Sequence, residues 1–139
     1  MSDPGVRPVL IDLLERARAA EKEQALWYRS LASRAEELSP DLAQRFHDLH
    51  ADEQHHLSRI TARVLELGER PKDLAAVRAP AVDLDEWEPG VREREGEEIA
   101  RYRRLLDEPL DEVTRALIEA ILAVEEHHAA ELGGKWTMA

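Results

Sequence analysis

The sequence predicts an all-α fold, a four-helix bundle made of two helical hairpins with a long crossover between helices 2 and 3. Apolar residues recur every three or four positions in four separate stretches, the signature of amphipathic helices. The composition sets 43% hydrophobic beside 35% charged residues with only 4% aromatics, as long amphipathic helices require. The two halves also echo each other. Tyr28-Arg29-Ser30-Leu31 pairs with Tyr102-Arg103-Arg104-Leu105, and Glu53-Gln54-His55-His56 with Glu125-Glu126-His127-His128, as in a duplicated hairpin.

Helix 1 is expected over about 8–37, opened by Pro8 and carrying Leu10, Leu13, Leu14, Ala17, Ala25, Tyr28, Leu31 and Ala35. Ser39-Pro40 restarts the chain with a capping residue and a proline at the first helical position. Helix 2 follows over 40–67 on the stripe Leu42, Phe46, Leu49, Ile60, Val64 and Leu67, and Gly68 stops it. The segment Glu69 to Glu88 holds Pro71 and Pro80 without a sustained period, so it reads as a connection. Extended, such a segment spans about 65 Å, enough to run along a helix of about 45 Å. Pro89 opens helix 3, over 89–107, with Ile99, Tyr102, Leu105 and Leu106. A turn at Asp107 to Pro109 leads to helix 4, over 109–132, which ends at Gly133-Gly134.

At 139 residues the chain is expected to be one domain, 1–139, able to bury a core without disulfides. It contains no cysteine, which excludes thiolate zinc sites and iron–sulfur clusters, so any metal is held by carboxylate and imidazole. A net charge of −11 opposes binding to nucleic acid and attracts cations. No stretch reaches the roughly 18 apolar residues of a membrane span, and the N-terminus lacks a leader pattern, so a cytoplasmic protein is expected.

The chemistry lies where polar residues interrupt the apolar stripes. In helix 2 Glu53 and His56 stand where the stripe calls for Leu or Ile, and in helix 4 Glu125 and His128 do the same. A spacing of three puts each pair on one face, a turn apart. Glu21 and Glu95 each precede a tyrosine, Tyr28 and Tyr102, by seven residues and share its face. The glutamates lie at comparable distances from the turns near Ser39 and Pro109, so all four reach similar heights in the bundle. Burying four uncompensated carboxylates would cost several kcal/mol each, beyond what a net stability of about 5–15 kcal/mol tolerates. Two divalent cations would neutralise them.

One glutamate from each of two helices, with Glu-x-x-His from each of the other two, is the ligand pattern of di-iron and di-manganese bundles. On these residues the chain resembles the ferritin-like superfamily, and within it the rubrerythrins and bacterioferritins, over about 21–60 and 93–132. The rubrerythrin likeness is carried by Glu21, Ala25, Tyr28, Ala32 and Ser33, and by Phe46 seven residues ahead of Glu53-x-x-His56. The resemblance implies Glu21, Glu53, His56, Glu95, Glu125 and His128 as ligands. It also matches Glu98 to an additional glutamate of rubrerythrins, a ligand in one redox state.

Bacterioferritins place a haem-binding methionine where this chain has Gln54, so no haem is expected. Only Lys135 to Ala139 follow Gly133-Gly134, so neither a fifth, cage-forming helix nor a cysteine-rich tail is expected. His47, His50, His55 and His127 are read as surface or interface residues, with an entry path for metal as their alternative role. Tyr28 and Tyr102 are expected to bond ligand carboxylates on a neighbouring helix. Asp52 is a candidate to orient a ligand histidine, although helix 4 has Val124 at the equivalent place.

Two iron ions are therefore expected, with manganese suited to the same donors. The implied activity is oxidation of the ferrous pair by hydrogen peroxide or O₂, a peroxidase or ferroxidase with Glu98, Tyr28 and Tyr102 assisting and an unidentified electron donor. The alternative is an iron-storage or iron-delivery protein without significant turnover. DNA protection of the mini-ferritin kind is disfavoured by the charge and by a complete site in one chain. A homodimer or higher homo-oligomer is expected.

Overall fold

A computed structural model of the chain describes residues 6–135. Four helices follow one another: α1 (Val6–Ala35), α2 (Pro40–Glu66), α3 (Trp87–Leu106) and α4 (Glu112–Lys135). A short 3₁₀ turn, Leu84–Glu86, precedes α3. The extensive pairings are α1 with α2 and α3 with α4, which gives the two hairpins, and the crossover of residues 67–83 joins them.

Local chemistry accounts for most helix ends. At the start of α2, Ser39 Oγ accepts from the Leu42 backbone at 3.2 Å, and Pro40 fills the first turn, where no donor is needed. At its end, Gly68 takes φ +86°, Gly68 N–H bonds Leu65 O and Glu69 N–H bonds Val64 O, a Schellman closure that satisfies the last carbonyls. The glycine therefore lies one residue past the cap Leu67, so α2 stops at Glu66.

Other boundaries depart from expectation. Helix α1 is already formed at Val6, the first described residue, and gives way at Glu36 to a turn. Helix α3 starts two residues before Pro89, because the Asp83 side chain accepts from Asp85 N and starts the preceding turn. Trp87 then packs edge-on against Phe46, with centroids 5.5 Å apart. Helix α4 starts at Glu112 and not near 109: Asp111 Oδ1 accepts from Thr114 N at 2.8 Å, a side-chain cap outside the turn Asp107 to Pro109. At its far end α4 runs through Gly133-Gly134 to Lys135; glycine weakens a helix without forbidding it. Residues 136–139 lie outside the described residues.

The crossover is tied to the bundle. Arg18 of α1, 6% exposed, forms an ion pair with buried Glu15, donates to Thr61 of α2 and reaches Lys72 O, while Lys72 N–H donates to Glu15 Oε2. Lys22 bonds Leu74 O.

The apolar core forms two blocks. One gathers Tyr28, Leu31, Phe46, Leu49, Val91 and Leu132, and the other Leu14, Ile60, Val64, Leu105, Ile118 and Ile121. Between these blocks, at mid-height, every helix contributes polar side chains. Among the described residues no helix is long and apolar enough to cross a membrane.

Candidate metal centre

The polar belt consists of Glu21 from α1, Glu53 and His56 from α2, Glu95 and Glu98 from α3, and Glu125 and His128 from α4, all at 5% exposure or less. Each occupies a position on its helix's buried stripe, so the periodicity that builds the core also drives these groups inward.

Their atoms converge as two groups that share one residue. Glu21, Glu53, His56 and Glu125 bring one donor atom each to within 4.8 Å of one another, as do Glu95, Glu125 and His128. His56 Nδ1 lies 3.1 Å from Glu125, 3.5 Å from Glu53 and 3.6 Å from Glu21. His128 Nδ1 lies 3.7 Å from Glu95 and 3.9 Å from Glu125. Glu125, in both groups, sits where a carboxylate serves two cations at once. Glu98 belongs to neither group, although its carboxyl is buried beside them.

Hydrogen bonds fix the outer atoms and leave the inner ones free. Tyr28 of α1 donates to Glu95 of α3, and Tyr102 of α3 donates to Glu21 of α1 at 2.5 Å. On the α4 histidine, Nε2 meets Asp52 Oδ2 of α2 at 2.8 Å. With Asp52 accepting, Nδ1 is left as the inward atom. The remaining atoms have no hydrogen-bond partner: Glu21 Oε2, Glu95 Oε2, both oxygens of Glu53, Glu98 and Glu125, and Nδ1 of His56 and His128. The His56–Glu125 contact is close enough for an ion pair but lacks hydrogen-bond geometry. Buried carboxylate oxygens and imidazole nitrogens that converge without hydrogen-bond partners are what a divalent cation satisfies, so the donor set fits metal.

The electrostatics carry the same strain. Burial, followed by the charges of Glu21 and Glu125, pushes Glu53 well above the usual carboxylate range. Burial likewise raises Glu98, and lifts Glu95 to about 8. Burial opposes charge on His56 and His128, but the facing carboxylates outweigh it and raise both to about 9. Burial also works against the Glu125 carboxylate, yet its contact with His56 and those with Glu95 and Glu53 leave it depressed. Without metal, the belt is held together by protons.

The other histidines stay outside both groups among the described residues. His47 pairs with Glu36 at the surface, His50 Nδ1 meets Ala25 O at 2.8 Å, His127 pairs with Glu131, and His55 is exposed. His127 does line a groove of about 500 Å³ with Asp48, Asp52 and His128. Among the buried polar residues that escaped the sequence reading is Gln24. It is 2% exposed and lies one turn beyond Glu21, at the position Glu98 takes after Glu95; the internal repeat was the signal that could have found it.

A four-helix bundle with such a belt defines the ferritin-like class of carboxylate and histidine metal proteins. The Rubrerythrin family model matches residues 12–133, and the chain belongs to that family. Among solved structures, the bacterioferritin of Desulfovibrio desulfuricans, which has a diiron site, superposes with a TM-score of 0.84 at 22% identity, covering 93% of this chain and 78% of that one. The dodecameric thioferritin of Bacteroides fragilis, a bacterioferritin-related protein, gives a TM-score of 0.77 at 24% identity, covering 91% and 83%. At such identities these likenesses speak for the fold alone. No curated protein matches the sequence.

Proposed function

We propose that this chain is a non-haem di-iron oxidoreductase whose ferrous pair is oxidised by hydrogen peroxide or O₂, with peroxide the preferred oxidant. Glu21, Glu53, His56 and Glu125 would hold one ion and Glu95, Glu125 and His128 the other. The observation that carries this reading is the pair of donor groups sharing Glu125, whose inward atoms lack any other partner.

A bound iron pair supplies two electrons, one from each ferrous ion, and an external donor must return them. The protein's part is positional. Tyr28 and Tyr102 hold Glu95 and Glu21 by one oxygen and leave the other for the metal. Asp52 keeps the proton of His128 on Nε2, so Nδ1 can ligate. Protons carried by His56, His128 and Glu95 leave as cations enter. The two apolar blocks exclude bulk water from the belt. Glu98 stands by as a further carboxylate, buried with both oxygens unpaired and near enough to feel the charges of Glu53, Glu21, Glu125 and Glu95.

Anaerobic stopped-flow mixing of the di-ferrous protein with each oxidant tests the reading. Faster oxidation by peroxide is expected, with Glu98→Ala slowing it while two-metal binding persists. Faster oxidation by O₂, indifferent to Glu98→Ala, would make a ferritin-type ferroxidase the better description.

A second reading, iron storage or delivery by a homo-oligomer, draws support from the likeness to bacterioferritin and to a dodecameric relative of it. Sustained turnover with a reductant or excess ferrous ion separates the two.

A further inference from the structure

Among the buried groups without a partner, Gln24 is the one that cannot face a cation. Its Oε1 accepts from Arg94 Nη1 at 3.2 Å, which turns Nε2 the other way, and Nε2 has no partner. Arg94 is itself held, 4.8 Å over the Trp27 ring and 3.4 Å from Glu23, so the amide is not free to flip. A buried donor left empty costs about 1–3 kcal/mol. An amide nitrogen needs an oxygen acceptor, since it has no lone pair to offer a metal.

The register of the helices says which oxygen. Tyr28 reaching Glu95 and Tyr102 reaching Glu21 set α1 and α3 antiparallel, with these contacts as two rungs. Between the rungs stand Gln24 and Glu98, each three residues past its helix's glutamate and four before its tyrosine. The helices thus carry one pattern twice, Glu21-x-x-Gln24-x-x-x-Tyr28 and Glu95-x-x-Glu98-x-x-x-Tyr102, with an amide in one copy and a carboxylate in the other. Arg94, which holds Gln24, lies one turn before Glu98 on α3. Glu98 is 3% exposed, has both oxygens unpaired and lies outside both cation groups. A buried donor and a buried acceptor, each without a partner, therefore share one level of the α1–α3 boundary. A carboxylate at position 24 would add like charge to a crowded belt, whereas an amide has the same shape and none.

We propose that Gln24 is the positioning residue of Glu98: its Nε2 donates to a Glu98 oxygen when that carboxylate is turned away from the metal pair. The amide thereby sets how readily Glu98 becomes a ligand. This rests on the di-metal reading above.

Cobalt(II) gives a test that needs no turnover, because its visible bands weaken as oxygen ligands are added. Wild-type protein, Gln24→Met and Gln24→Leu are loaded with cobalt, and the same substitutions are made beside Glu98→Gln. Both Gln24 variants should bind two cobalt ions per chain with weakened bands, because Glu98 without its donor moves onto the metal. Beside Glu98→Gln, neither should alter the spectrum. Unchanged bands in the single variants, or an equal change with Glu98→Gln present, would overturn the role of Gln24 while leaving the metal centre standing. Wild-type protein that binds no cobalt would overturn both.

Discussion

Tyr102 of α3 donates its phenolic hydrogen to Glu21 of α1 at 2.5 Å, deep in the core, where both side chains are shut off from solvent. With its mirror contact, Tyr28 to Glu95, it stitches the two hairpins together through the residues that would bind metal. Tyr102→Phe keeps the ring and removes only the donor, so Glu21 gains a second orphaned oxygen. The metal-free variant should lose about 1–3 kcal/mol of stability, and metal affinity should fall about 10–100-fold. Thermal melts and metal titrations check both. A variant equal to wild type in each would show that the hydroxyl does not hold Glu21.

Two metal ions should bind per chain after anaerobic ferrous loading, and Glu125→Ala should weaken both, because Glu125 belongs to both donor groups. Metal held only by the folded chain raises stability, by about 2.7 kcal/mol at a hundred times Kd. Glu53→Ala combined with Glu125→Ala should shrink that gain. One ion or none by elemental analysis would refute the two-ion centre.

Asp52→Asn should act on one ion more than the other. Asp52 is half exposed, yet among the described residues it meets Nε2 of His128 at 2.8 Å, on α4 and not on its own helix. An amide in its place no longer favours the Nε2–H tautomer, so the ion bound with His128 should be lost first in a stepwise chelator titration. Equal weakening of both sites would count against this role.

The metal-free protein should lose stability as pH rises from about 4.5 to 9, first through Glu95 and above about 6.5 through His56 and His128 as well. His56 and His128 titrate near 9 in the folded chain against an ordinary 6.5, and Glu95 near 8 against 4.5. In all three the folded state holds the proton more tightly, so the contribution is full below the ordinary value and disappears as pH climbs through the folded one. Each proton contributes a slope of up to about 1.4 kcal/mol per pH unit inside its window. Glu125 has the opposite sign, its contribution present above 4.5 and lost only in acid. Metal displaces the protons, so the loaded protein should melt at a nearly constant temperature across this range. Parallel pH profiles with and without metal would exclude proton–metal competition at the belt.

Helix existence and the inward direction of Glu21, Glu53, His56, Glu95, Glu125 and His128 were legible in the sequence, because a period near 3.6 is a local property that fixes which face each residue occupies. The Schellman glycine at 68 and the cap at Ser39 were legible for the same reason. Asp111 as the cap of α4 was less so, since Pro109 offered an equally good local start and only the backbone path chose between them. What lay beyond the sequence was every pairing across helices. Asp52 stands one turn from His56 on its own helix, yet it bonds His128 of α4. Tyr28 and Tyr102 exchange partners between α1 and α3, Gln24 reaches Arg94, and Glu98 is buried beside the donor groups without joining either. Such choices depend on the register and spacing of helices far apart in the chain, which packing sets to within an ångström, whereas periodicity fixes a face and says nothing of what stands opposite.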